Sequence, residues 1–311
     1  MTKRYTSVFS YLKTVFKEFS SDNILKYSAS LAYYTVFSIA PLLVIISTLA
    51  GIFYGKEAVQ GQVFEQLQGL VGTVAAGQIQ DIIKNIHLVG NTFFASIVSI
   101  IILLIGATTI FGEVQDSFNK IWGLRIKTKK TWWKLILTRL LSFSIIICIG
   151  FIMVVSLILN ALVSAFGKFL GRYIHNFSVY FIQTSEAILS LIIVAFLFSL
   201  MFKVLPDAKI KWKDVLFGGF ITAVFFTLGK LAIGFYLGKS NLTTLYGAAA
   251  SIIIIMVWVY YSSIILYLGA EFTKVHSKFF GGNIQPNDFA EWIKVEEKHV
   301  AKPELKNKEL N

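Results

Sequence analysis

The sequence predicts an all-α, polytopic membrane protein with six transmembrane helices and amphipathic helices at both faces. Three observations predict it. Hydrophobic residues make up 56% of the 311-residue chain and charged residues only 15%, with a mean hydropathy of +0.69, whereas soluble domains carry about a quarter charged residues. Apolar runs at about 29–53, 92–112, 136–162, 178–202, 214–238 and 247–270 each reach the roughly 18 residues needed to cross a hydrocarbon core. The positive charge alternates between the segments that join these runs. Those before span one and after spans two, four and six hold 22 Lys and Arg, against five (Lys56, Lys84, Lys168, Arg172, Lys239) in the opposite loops. The positive-inside rule then places both termini in the cytoplasm. The net charge of +12 thus sets orientation, and membrane lipids with anionic headgroups are its natural partner, not nucleic acid.

The elements follow in order. Residues 3–20 put Tyr5, Val8, Phe9, Leu12, Phe16 and Phe19 at helical spacing with lysines elsewhere. This predicts an amphipathic helix within a cytoplasmic segment 1–27, lying on the membrane face or packed on the bundle. The membrane domain spans 28–275. In span one Pro41 removes a backbone hydrogen bond and predicts a kink, while Ser30, Tyr34, Ser38 and Pro41 form a polar stripe. The outer segment 56–90 carries apolar residues at helical period, interrupted by Glu65, Asp81 and Lys84, and predicts a helical cap. Trp122, Trp132 and Trp133 among the lysines of 111–134 have the composition of an interfacial anchor. Residues 276–311 form a charged cytoplasmic tail, expected to be flexible from about 285. The first 28 residues are mixed and basic, so no cleavable signal peptide is expected. The single Cys148 lies inside span three, which leaves no internal disulfide.

One charge stands out. Lys230 sits within the apolar stretch 225–238, on a face shared by Gly219, Ala223, Thr227, Gly234 and Gly238. Small residues at this spacing let helix backbones approach in a membrane, so Lys230 is expected to face protein. Span four offers Glu186 at matching depth, flanked on its face by Gln183 and Ser190. An intramembrane charge is costly and pairs where it can, which predicts that Glu186 and Lys230 are close in an outer polar cavity. The opposing reading keeps its place: lysine snorkels along its stem, and a buried pair can do no more than fix helix register. Arg139 and Glu271 lie near cytoplasmic ends, within reach of headgroups.

Enzymatic signatures are missing. The four histidines (His87, His175, His276, His299) have no ligand-spaced partners and no H-E-x-x-H helix occurs. The stretch 234–240 has three residues between glycines where a phosphate-binding loop has four, and no G-x-S-x-G elbow is present. The expectation is a protein that is not an enzyme, with no cofactor and no metal.

Four blocks, "SASLAYYTVFSIAPLL" (28–43), "GATTIFGEVQDSFNKIWGLR" (106–125), "LPDAKIKWKDVLFGG" (205–219) and "LYGAAASIIIIMVWVYYSSIILYLGAEF" (245–272), occur in this order. Together they resemble the YihY/virulence-factor BrkB family of bacterial inner-membrane proteins, formerly mislabelled ribonuclease BN. The resemblance covers nearly all of 20–275. It implies a six-helix protein of the bacterial cytoplasmic (inner) membrane and points to transport or envelope lipid handling. Its motif positions include Tyr34, Ser38, Pro41, Asn119, Trp122, Pro206, Gly247, Gly269 and Glu271, read as architectural first, with Asn119 capping or bonding across the cytoplasmic face. No acidic metal cluster or histidine set supports the ribonuclease label.

The reading that follows is a transporter or lipid translocator with a polar cavity lined by spans one, four, five and six. Lys230, Glu186, Gln183, Tyr34 and Ser38 would bind substrate; Pro41, Asn119, Trp122, Gly234, Gly238 and Glu271 would serve the architecture. The alternative is a non-transporting scaffold of the cell envelope. Either form admits a homo-oligomer or envelope protein partners.

Overall fold

The computed structural model describes residues 8–38, 68, 73, 76–80, 106, 109–127, 177–239, 245–246, 249–280 and 282–293. Expectations for Pro41, for span three, and for most of span two and of the 56–90 cap lie outside the described residues. The described chain is mostly helical: α1 (Val8–Ser21), α2 (24–38), α3 (109–121), α4 (Phe177–Val204), α5 (Trp212–Lys239) and α6 (Ala250–Phe280). Of these, α4, α5 and α6 are long and apolar enough to cross a membrane. They correspond to the fourth, fifth and sixth predicted spans.

Helix α5 packs against both α4 and α6, and its small residues determine how closely. A Cβ on Gly219 would stand 2.6 Å from the Ala195 carbonyl oxygen and 2.8 Å from the Ser199 nitrogen of α4. Towards α6 the fit is reciprocal, since a Cβ on Gly218 would overlap Thr273 and one on Gly269 would overlap Thr222. The hydroxyls at these contacts are satisfied within their own helices. Thr273 donates to Gly269 O at 2.8 Å, Thr222 to Gly218 O at 2.6 Å and Ser199 to Ala195 O at 2.7 Å. Polar side chains can therefore sit in a lipid-embedded contact without an orphaned donor. Elsewhere on α4 and α5, Ile188, Ile192, Phe220, Leu228, Leu231 and Phe235 are exposed, as lipid-facing residues should be.

Among the described residues the largest buried cluster lies at the end of the bundle where α1 sits. Phe118 and Trp122 of the α3 end, Phe202 of α4, Val215 of α5, Tyr267 of α6 and Ile24 of α2 form one buried cluster. Phe118 meets Phe202 edge-on at 5.5 Å and Tyr267 at 5.8 Å. Aromatic rings in such geometries fill space from several helices at once.

Two small antiparallel ladders tie the same end together, an addition to the all-α expectation. Strand β1 (Leu124–Ile126) pairs with β4 (Ala290–Trp292), and β2 (Ala208–Lys209) pairs with β3 (Gln285–Pro286). The turn into β1 uses Gly123 at φ 70°, a left-handed residue that ends α3. Residues 285–292 are thus not a flexible tail. They carry few apolar side chains because backbone ladders and buried amides, not a hydrophobic stripe, hold them.

Helix α1 packs on the bundle, the second of its two alternatives. Val15 is buried against Phe272 and Val275 of α6. Tyr11 donates to the Phe272 carbonyl oxygen at 3.2 Å, and burial pushes its phenol up to about 12. Phe9 and Phe16, on the other edge, are 77% and 61% exposed, the disposition of a helix whose free edge enters an interface.

Candidate functional site

Three polar groupings occur among the described residues. The first centres on Asp207, in the loop between α4 and α5. Pro206 cannot continue α4, and the chain turns there, burying the Asp207 side chain. Asn119 Nδ2 donates to its Oδ2 at 2.9 Å, Gln115 Nε2 to the same oxygen at 3.2 Å, and Asn287 Nδ2 to Oδ1 at 3.3 Å. The Asp207 N–H donates back to Asn119 Oδ1 at 2.8 Å. A buried carboxylate is tolerated when amide donors replace its water. This one joins α3, the α4–α5 loop and the segment beyond β3.

The second grouping lies beneath α1. Lys274 Nζ stands 2.5 Å from Glu18, 2.6 Å from Asp22 and 3.2 Å from Glu271, and Lys278 reaches Glu18 at 3.6 Å. The three carboxylates bring ligand oxygens within 4.8 Å of one another, a set that could hold a cation. The Lys274 ammonium lies among them, so the lysine supplies the positive charge. Glu271 is fully buried and does not reach headgroups; α1 and α2 cover it.

The third is the predicted site around Lys230. Lys230 is half-buried on α5, beside Gly229, where a Cβ would overlap the Tyr261 ring of α6. Gly219 and Ala223 on its face are buried, so that face meets protein as expected. Glu186 and Gln183 belong to α4, but their side chains lie outside the described residues, as does the surrounding of Gly238. A Cβ added to Gly234 would meet no described atom within 4 Å. Ser38 is buried; its hydroxyl donates to Tyr34 O at 3.1 Å and it packs where a Cβ on Gly106 would stand. Tyr34 is half-buried, with its ring 5.7 Å from Tyr33.

Trp122 corrects the sequence reading in another way. It is only 2% exposed, and its indole N–H donates to the Ala270 carbonyl oxygen at 3.1 Å. It is a core residue and not an interfacial anchor. Asn119 does bond across the face, as anticipated. Sequence reasoning missed Asp207, Glu18, Asp22 and Lys274; the readable signal was Gln115 and Asn119 at i and i+4, two amides on one helix face.

The family described as virulence factor BrkB matches residues 15–288. The chain belongs to this family. Similar proteins include a UPF0761 membrane protein of Stenotrophomonas maltophilia (strain R551-3), 27% identical over 87% of this chain and 61% of that protein. Others are UPF0761 membrane proteins of Pseudoalteromonas atlantica, 26% identical over 83% of each chain, and of Haemophilus influenzae (strain 86-028NP), 26% identical over 82% of this chain and 90% of that one. The match thus spans less than two thirds of the Stenotrophomonas relatives' length. No solved structure matches. Residues 15–288 include Glu18, Asp22, Asn119, Asp207, Glu271 and Lys274, so both polar groupings at the α1 end fall within the BrkB-matched region.

Proposed function

We propose that this BrkB-family membrane protein is a transporter or lipid translocator of the bacterial cytoplasmic membrane, not an enzyme, with both termini in the cytoplasm. The observation that carries the reading is Lys230, a charged residue half-buried within an apolar helix of 28 residues that packs between two others. A charge at that depth is expensive unless something polar passes or pairs there. Lys230 would attract an anionic headgroup or solute, with Glu186 of α4 as counter-ion in the empty state.

The scaffold reading is favoured by a different observation, the rigid tying of α1, α3 and residues 285–292 into one face. The two readings part on one experiment. The purified protein is reconstituted in liposomes, and transbilayer movement of a labelled anionic phospholipid is compared with that of a folded Lys230→Ala variant. Movement lost in the variant supports translocation through Lys230. A well-folded wild-type protein that moves no lipid removes that reading and leaves small solutes or the scaffold.

A further inference from the structure

We propose that a basic cavity at the α1 end of the bundle binds a phosphate group, carried by an anionic phospholipid or by free phosphate. The cavity, of about 380 Å³, is lined by Lys203, Lys209, Lys211, Gly282, Asn283 and Gln285 among others. This site is separate from Lys230 and stands whether or not the protein transports anything.

Its contents are a charged concavity whose lining carries three lysines and no acid. Lys203 comes from the last turn of α4, Lys209 from β2 and Lys211 from the residue before α5. Three lysines of the short α4–α5 connection and its flanks therefore line one cavity. Asp207 is occupied by the amides of Asn119, Gln115 and Asn287; Asp214 Oδ1 faces His276 Nδ1 at 3.2 Å, while its Oδ2 lies buried behind Gly282. The remaining acid, Asp288, pairs with Lys209 at 3.2 Å with both side chains largely exposed, a contact of the weak, readily exchanged kind. Lys203 is held in place, since its Nζ bonds the Ile210 carbonyl oxygen and lies 5.7 Å over the Trp212 ring. Lysines gathered around a concave surface, one of them held, suit a phosphate's several oxygens better than scattered surface lysines do.

The position of the cavity suits a lipid source. The apolar stretch of α4 ends at Val204 and that of α5 begins at Trp212, so the lysines stand at the edge of the hydrocarbon, at headgroup height. From that edge Trp212, Leu216 and Phe220, at i, i+4 and i+8 on α5, are 46%, 47% and 51% exposed. They form an apolar track leading away from the cavity, along which an acyl chain can lie. Basic pockets at this level are where anionic headgroups bind.

The test is native mass spectrometry of the full-length protein with equimolar phosphatidylglycerol and phosphatidylcholine, repeated with inorganic phosphate added. The wild type is expected to retain phosphatidylglycerol in preference to phosphatidylcholine. Lys209→Gln/Lys211→Gln, both exposed positions, should lower that preference on the order of tenfold. Lys13→Gln/Lys17→Gln on α1 removes the same charge elsewhere and should leave it unchanged. Inorganic phosphate bound by the wild type, lost in the cavity variant and unaccompanied by a lipid preference would assign the site to free phosphate. The proposal is overturned if neither phosphate source depends on Lys209 and Lys211 in variants with wild-type helicity. It is equally overturned if the α1 variant loses as much as the cavity variant, because general surface charge would then be the cause.

Discussion

Asn119 and Asp207 are bonded twice, the Asn119 amide giving to the carboxylate at 2.9 Å and taking from the Asp207 backbone N–H at 2.8 Å. Each bond fixes the other's geometry, because the amide cannot flip without breaking both. The pair joins the end of α3 to the α4–α5 loop, 88 residues apart in sequence.

This relationship predicts a directional rescue. Asn119→Asp removes the donor and sets one buried carboxylate against another, which should cost about 3 kcal/mol. Adding Asp207→Asn returns a donor to the pair and should recover part of the loss. Thermal unfolding in detergent reads both. A double variant no more stable than Asn119→Asp alone would show that the pair is not the unit that matters.

The cluster under α1 holds three carboxylates and two ammonium groups, so its members are not equivalent. Lys274→Met leaves buried acids without their cation and should destabilise by about 3–5 kcal/mol. Glu271→Gln removes a buried acid from the crowded cluster at constant shape and should melt at or above the wild-type temperature. A clear drop in melting temperature for Glu271→Gln would mean that its charge is required where it lies.

The glycines of α5 divide by what surrounds them. Gly219→Ala drives a Cβ against the α4 backbone, where no side-chain rotation relieves it, and should separate the helices at a cost of about 1–3 kcal/mol or more. Gly234→Ala meets open space among the described residues and should be neutral, or stabilising by up to about 1 kcal/mol through helix propensity. Melting curves of the two variants side by side check the assignment.

Trp122→Phe keeps an aromatic ring on Phe118 but removes the indole N–H that donates to the Ala270 carbonyl oxygen. A loss of about 1–2 kcal/mol is expected, with near-ultraviolet circular dichroism reporting the altered core. A silent substitution would assign Trp122's value to its ring alone.

The membrane class and the spans that became α4, α5 and α6 were legible because lipid imposes length and apolarity on every turn of a helix. The small-residue face of α5 was legible for the same reason, since close packing in lipid demands it. What escaped reading was chemistry built from residues distant in sequence. Glu18, Asp22, Glu271 and Lys274 each look like ordinary interfacial charges in isolation; only the docking of α1 on α6 turns them inward. Trp122 misled because tryptophan beside lysine has one composition in two settings, and its burial depends on Tyr267 and Ala270 from α6. Residues 285–292 read as tail because a strand of two or three residues has no periodicity to find.

The pairing of β1 with β4 also sets an order of events during synthesis. Arg125 emerges from the ribosome 166 residues before its partner Glu291, and the edge of Leu124–Ile126 has nothing to pair with until then. The long apolar helices α4, α5 and α6 must form while that edge waits. A chain halted before 290 would therefore leave the α1 end open, with an unpaired strand displayed to the quality-control proteases of the cell.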